Sequence, residues 1–266
     1  MAGRARRAPM MLQEDRHQRI RALLATVGRA TTDRIATDLG VSRETVRRDV
    51  LALEARGELR RVHGGVAAIA PEAEPPITVR ARVRLAEKTR IAQAAARMVS
   101  PGQTLFLDVG STVSILAREL ATLSGLTIVT NSFEVATIIG GSSGERGNRV
   151  IVLGGELGST LPATFGSTTV AEIQRWQADV ALLSPVGIDH RYGATSFDIE
   201  EANVARAMAA AARRVLILAD HSKIGQTSRV AYRAPDGIDS LITDARAADA
   251  PALGALRGVV GEVVIA

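Results

Sequence analysis

Residues 30–66 read ATTDRIATDLGVSRETVRRDVLALEARGELRRVHGGV, and this stretch decides how the chain begins. A helical pattern over 32–39 stops at Gly40, and a second runs from Ser42 to Arg56. Two short runs, 59–62 and 66–69, then flank Gly64-Gly65, a pair able to take the positive φ values of a tight hairpin turn. The order predicts a helix-turn-helix followed by a wing. Ser42 stands where an N-cap belongs, its hydroxyl accepting from a free amide of the second helix. At about 100° per residue Val46, Val50 and Leu53 share one narrow arc, which must pack inward. The opposite side carries Glu44, Thr45, Arg47 and Arg48, with Arg43 at its start. A helix lying in the DNA major groove needs such a face, because an arginine fork can bond two acceptors on a guanine edge. Ser42, Thr45 and the first backbone amides can hold phosphate oxygens. The hairpin brings Arg60, Arg61 and His63 beside the groove. Sequence alone does not separate the arginine that reads a base from the one that only neutralises phosphate.

Charge agrees with this placement. Residues 1–65 carry a formal excess of +6 and the remaining chain −1, so the whole positive balance lies with the winged segment. Such a field attracts a polyanion and makes binding fall steeply with salt. The chain has 266 residues, more than one compact domain usually holds, and no cysteine. Disulfides, thiolate metal sites and a cysteine nucleophile are therefore excluded. The four histidines (His17, His63, His190, His221) show no ligand spacing, and no G-x-G-x-x-G follows the first sheet strand, so neither a metal nor a cofactor is expected. The N-terminus MAGRARRAPMM leads into LQEDRHQRI without the apolar core of a signal peptide, and no run approaches the ~18 apolar residues of a membrane span. A cytoplasmic protein is expected.

Four segments follow. Residues 1–11 read as a disordered basic arm. Residues 12–69 form the winged helix-turn-helix, its first helix (14–26) burying Ile20, Leu23, Leu24 and Val27 under the other two. Residues 70–79, with Pro71, Pro75 and Pro76, read as a semi-rigid linker. Residues 80–266 alternate strand and helix. Strands are expected at 104–108, 127–130, 149–154, 179–184, 214–220, 240–244 and 262–266, most of them continuous apolar runs. Helices are expected at 111–123, 132–139, 167–176 and 199–213. This is an α/β domain around a mainly parallel sheet.

Ligands of open α/β sheets collect at the carboxyl ends of the strands. There the chain places Asp108 and Gly110-Ser111-Thr112, where glycine, hydroxyls and a helix start make an anion cradle suited to phosphate. The same residues also read as plain N-capping. Thr130-Asn131, Gly154-Gly155, the turn at Gly187-Ile188-Asp189, and Asp220 to Lys223 add four more marked turns. Only two of the 33 basic residues are lysine, Lys88 and Lys223. An ammonium on a flexible stem suits a point charge meeting phosphate in a tight site, and Lys223 beside Asp220 favours a ligand role. Lys88, inside RLAEKTRIAQAAARM, reads equally well as a ligand group or a structural one.

The segment VSRETVRRDVLALEARGELRRVHGG resembles the N-terminal signature of the DeoR family of bacterial transcriptional regulators: Val-Ser, two variable residues, Thr, a β-branched residue, Arg-Arg-Asp and, later, Arg-x-His-Gly-Gly. EKTRIAQAAARMV, LDVGST, VTNS, GID, the Gly-x-Thr of Gly193 to Thr195 and DHSKIG extend the resemblance through the sensor domain of that family. It implies a winged helix on operator DNA, with Ser42, Thr45, Arg47 and Arg48 as contacts. It also implies a sensor similar in fold to ribose-5-phosphate isomerase and glucosamine-6-phosphate deaminase, binding phosphorylated sugars or related metabolites. Carried over by motif, the effector pocket uses Asp108, Gly110, Ser111, Thr112, Thr130, Asn131, Gly155, Gly187, Asp220 and Lys223. One departure stands out. Before Gly-Ile-Asp the family has Gly, a small residue, then Asp or Asn, whereas this chain reads Leu183-Ser184-Pro185-Val186. The expected function is a ligand-controlled transcription regulator acting as a repressor, working as a dimer or larger oligomer. The rival is a sugar-phosphate isomerase or deaminase carrying a DNA-binding arm, with Asp108, Asp220, His221 and Lys223 as acid-base groups.

Overall fold

The computed structural model describes residues 12–56, 58–62, 64–68, 75–141 and 146–266. The expected N-terminal arm and residues 70–74 of the expected linker lie outside them, while residues 77–79 of that linker are helical and belong to the second unit. Contacts divide the chain into two compact units at residues 75 and 76.

In the first unit α1 (Gln13–Val27) is followed by a short strand β1 (Arg29–Thr31), then α2 (Thr32–Leu39), α3 (Arg43–Ala55) and the strands β2 (Leu59–Val62) and β3 (Gly65–Ala68). Helix α2 ends because Gly40 takes φ 64, its amide bonding back to carbonyls of the last turn. Ile20, Leu24, Ile35, Leu39, Val46, Val50, Leu53, Leu59 and Val66 close one core. The sequence did not reveal β1, which pairs antiparallel with β3 so that the wing is a three-stranded sheet in the order β1-β3-β2. Nor do both glycines form the turn. Val62 pairs with Gly65, so only Gly64 (φ 78) belongs to the bend. Gly65 lies in β3, where a Cβ would sit 2.2 Å from the Ala30 carbonyl oxygen. It is glycine because β1 passes that close.

The second unit opens with α4 (Ile77–Arg80) and α5 (Leu85–Ala96). Then come β4 (Thr104–Leu107), α6 (Ser111–Leu120), β5 (Thr127–Thr130), α7 (Phe133–Gly140), β6 (Arg149–Val152), the small pair β7 (Glu156–Leu157) and β8 (Thr164–Phe165), and α8 (Gly166–Gln174). It continues with β9 (Ala178–Leu183), β10 (Gly187–Asp189), β11 (Gly193–Ser196), α9 (Ile199–Ala210), β12 (Ala212–Leu218), β13 (Val230–Arg233), β14 (Ser240–Thr243), α10 (Pro251–Arg257) and β15 (Glu262–Ile265). All seven expected strands enter one sheet, ordered β15-β14-β12-β9-β4-β5-β6, with every pairing parallel. Strand residues alternate between two cores. Leu105, Leu107, Val180, Leu182, Leu216 and Leu218 face α5, α6 and α7. Phe106, Ala181, Leu183, Val215 and Ile217 face α8, α9 and α10. Burial on both faces is why these strands are continuous apolar runs.

Two sequence expectations are corrected. The helix expected to reach residue 213 ends at Ala210, because Ala212 is already paired with Ala178 and the Ala211 carbonyl accepts from the Ala178 amide. Helix propensity in AAARR yields there to the sheet register. Gly187-Ile188-Asp189 is no turn but strand β10, in a second, antiparallel sheet ordered β10-β11-β13. Strands as short as GID and GATS, the second paired across 30 residues or more of chain to β13, leave no periodic signal. Among the described residues no helix is long and apolar enough to cross a membrane.

Candidate functional site

The nucleic-acid face is built on α3. The Ser42 hydroxyl accepts from the Thr45 amide at 3.1 Å and lies 2.8 Å from the Thr45 hydroxyl, the capping geometry expected from sequence. With Val46, Val50 and Leu53 buried, Arg43, Glu44, Arg47 and Arg48 are left exposed on the opposite side. Arg43 pairs with Asp33 at 2.7 Å and Arg48 with Glu44 at 3.5 Å, both in water and easily exchanged for phosphate. On the wing Arg61 pairs with Glu54 at 2.6 Å, while exposed Arg60 and Arg47 have no carboxylate partner among the described residues. His63 lies outside the described residues.

Sequence reasoning missed what sets the roll of α3. Asp49, next to Arg48, is buried and receives two hydrogen bonds from the Arg16 guanidinium at 2.7 and 3.0 Å, with the His17 ring nitrogen 3.2 Å away. These ties fix α3 to α1. The signal was Asp at an inward position of the Val46-Val50-Leu53 arc, where an acid is out of place unless paired.

The small-molecule face lies where the main sheet reverses its winding. Strand order runs outward from β4 through β5 and β6 on one side, and from β9 through β12 on the other. The crevice at the carboxyl ends of β4 and β9 is thus a topological switch point. Asp108 follows β4, and its Oδ2 accepts from the Ser184 amide beyond β9 at 3.3 Å. Gly110 N-caps α6, so Ser111 and Thr112 form its first turn. Asp220 follows β12, accepts from the Ser222 amide and hydroxyl at 3.1 and 2.6 Å, and lies 3.6 Å from Arg84. Lys223 donates to the Pro185 carbonyl and, at 3.4 Å, to the Ser184 hydroxyl. Lys88, only 4% exposed, reaches the Ser111 hydroxyl at 3.0 Å and the Arg80 carbonyl at 2.6 Å. The lysine left open by sequence thus stands with Lys223 over the start of α6.

Electrostatics separate the two carboxyls. Burial pushes Asp108 well above the ordinary carboxylate range, an effect that the Ser184 amide and Lys223 only partly offset. Burial also acts to raise Asp220, but Lys223, Ser222 and Arg84 together outweigh it and hold that group below its ordinary value. Burial and the neighbouring Lys223 lower Lys88 to about 8. Buried Lys88 and half-buried Lys223 thus stand by one acid held in its charged form, Asp220, an arrangement able to take a small anion.

Four other expected residues make no hydrogen bond to either lysine among the described residues and hold the surrounding backbone instead. Thr130 donates to the Leu107 carbonyl at 2.7 Å and Asn131 to the Thr164 carbonyl at 2.9 Å. A Cβ on Gly155 would lie 2.0 Å from the Thr169 hydroxyl, and one on Gly187 2.5 Å from the Gln226 carbonyl oxygen. Val186, the departure noted above, uses its amide to bond Thr195. His221 is held by Asp244, its Nδ1 3.1 Å from both carboxylate oxygens.

Comparison with known proteins places this geometry. Residues 16–72 match the model of the DeoR-like helix-turn-helix domain, and residues 83–245 that of the DeoR C terminal sensor domain. The HTH-type transcriptional repressor GlcR of Bacillus subtilis (strain 168) is 35% identical over 237 residues, covering 88% of this chain and 89% of its own. The glycerol-3-phosphate regulon repressor of Escherichia coli (strain K12) is 33% identical over 235 residues, covering 88% and 92%. Among solved structures, ribose 5-phosphate isomerase A from Neisseria gonorrhoeae is 16% identical with a TM-score of 0.37, covering 54% of each chain. A likeness that slight carries no argument, and the fold stands on the strand order itself.

Proposed function

Since the chain belongs to the DeoR family, as a DNA-binding transcription regulator and not an enzyme, we propose that it represses an operon of carbohydrate or polyol-phosphate metabolism and leaves its operator when a phosphorylated metabolite binds. One observation carries the reading: exposed arginines on a capped helix in one unit, and a buried lysine beside a half-buried one over a helix start in the other. Ser42, Arg43, Glu44, Thr45, Arg47, Arg48, Arg60, Arg61 and His63 would make the DNA face, within residues 12–69. The proline-containing stretch before α4 would link it to the sensor, which takes in α4 and residues 80–266. There Lys88 joins Asp108, Gly110, Ser111, Thr112, Asp220 and Lys223 around the anion, with Thr130, Asn131, Gly155 and Gly187 shaping the rim.

Release requires that the metabolite bind the DNA-incompetent arrangement more tightly, and a coupling of about 1–3 kcal/mol weakens operator binding about 5- to 150-fold. One winged helix covers one half-site, so the working species is a dimer or larger oligomer, acting in the cytoplasm. The test is electrophoretic mobility of genomic fragments selected by the purified chain, titrated with sugar and polyol phosphates and with their unphosphorylated forms. Release by a phosphorylated compound alone is the expected result. Equal release by its unphosphorylated form removes the anion from the reading.

A further inference from the structure

Beyond the cations, the switch-point edge holds three buried polar atoms without a hydrogen-bond partner among the described residues: Asp108 Oδ1, Thr112 Oγ1 and Asn131 Oδ1. Asp108 and Asn131 are neighbours. Leu107 pairs with Thr130 at the ends of parallel β4 and β5, so the two side chains stand one residue beyond on adjacent strands, 7% and 0% exposed. Asn131 has given its amide to the Thr164 carbonyl, which leaves its Oδ1 an acceptor only. Asp108 Oδ2 accepts from the Ser184 amide. Lys223, the cation nearest in charge, bonds the Ser184 hydroxyl and the Pro185 carbonyl instead of the carboxyl. An ionised carboxylate there would be buried without a bonded cation and next to a second bare acceptor, a costly arrangement. Glu201 adds coulombic repulsion.

We propose that Asp108 works as a neutral acid, its carboxyl O–H donating a hydrogen bond to a hydroxyl of the effector while Asn131 Oδ1 accepts one from that hydroxyl. A donor beside an acceptor is met by an alcohol and by no unprotonated phosphate oxygen, which can only accept. The effector is therefore a hydroxylated phosphate ester, its anion at Lys88 and Lys223 and its polyol portion at the ends of β4 and β5. This rests on the sensor reading proposed above and adds the recognition of the carbon chain.

The test is calorimetric titration of the full chain with glycerol 3-phosphate, ribose 5-phosphate and glucose 6-phosphate, with ethyl phosphate as the hydroxyl-free probe. At least one polyol phosphate should bind about tenfold or more tightly than ethyl phosphate, since a site built around a hydroxyl rejects an analogue lacking it. Asp108→Asn keeps a donor and the acceptor for Ser184, and should hold that preference within about threefold, while Asp108→Ala abolishes it. Loss of the preference in Asp108→Asn as complete as in Asp108→Ala, with operator binding intact in both, overturns the neutral acid. So does an equal affinity for ethyl phosphate. Failure of all four probes to bind the unaltered chain instead brings down the sensor reading, and this inference with it. Infrared difference spectra of the unaltered chain need no variant. A carboxylic-acid carbonyl band at neutral pH that shifts when the polyol phosphate binds supports the proposal, and its absence overturns it.

Discussion

The two units use positive charge in opposite ways. On the exposed side of α3 and the wing the arginines stand in water, either without a carboxylate partner among the described residues (Arg47, Arg60) or in exposed pairs with Asp33, Glu44 and Glu54, while the inward Asp49 is paired with Arg16 and His17. At the switch point of the sheet unit the two lysines are withdrawn to different degrees, Lys88 to 4% exposure, and bond carbonyls and hydroxyls rather than carboxylates. The difference teaches what each surface is for. A polyanion of fixed charge is gripped by many cheaply hydrated donors, each worth little. A single small anion must be recognised by few groups, and desolvation makes each of those count.

The sharpest break of this contrast is at Asp49. Asp49→Ala removes the buried carboxylate that Arg16 and His17 share and should cost about 3–5 kcal/mol. Helix loss by circular dichroism should move to lower denaturant while fluorescence of Trp176, the only tryptophan, keeps its midpoint. A common shift of both signals means the units do not unfold separately. Next, Lys223→Ala should weaken the response to a phosphorylated effector by about 1.5–3 kcal/mol, read as the concentration needed to release operator DNA, with unliganded DNA binding unchanged. Arg48→Ala should cost about 1–3 kcal/mol or less in operator affinity and lower the salt slope by about one, leaving calorimetric effector binding untouched. If either variant impaired both activities equally, the division of charge described here would be wrong.

The smallest effect is in pH. Lys88 is charged below about 8 and neutral above it, and an anion prefers the charged form. Effector affinity should be full below that value and fall as pH rises through it, by at most about tenfold per unit. Unliganded stability moves the other way: the folded chain holds the buried charge poorly, so stability rises as pH climbs from about 8 toward the ordinary value of 10.5. Lys223 and Asp220 face the same group, so Lys88→Met is the control that should flatten the affinity profile.

Much of this was legible because local chemistry and global fold agree. The Ser42 cap, the Gly40 stop and the seven apolar strands each declare themselves within a few residues. The switch-point residues were legible for the same reason, being glycine and polar groups at strand ends. What escaped was non-local. Strand β1 is three residues given meaning only by β3, Asp49 by a helix more than 30 residues earlier, and the β10-β11-β13 sheet by a strand that follows α9 and β12. Lys88 remained open until the fold brought it against Ser111, 23 residues further along.

Gly64 and Gly65 are indistinguishable as letters, yet they should behave differently under substitution. Gly64 has an open surround and a left-handed backbone that asparagine tolerates, whereas any methyl at Gly65 collides with the Ala30 carbonyl. A saturation library selected for repression would keep drifting at the first position and freeze at the second. A designer swapping wings to change operator preference therefore inherits residues 29–31 with the hairpin, because the graft ends where that strand begins.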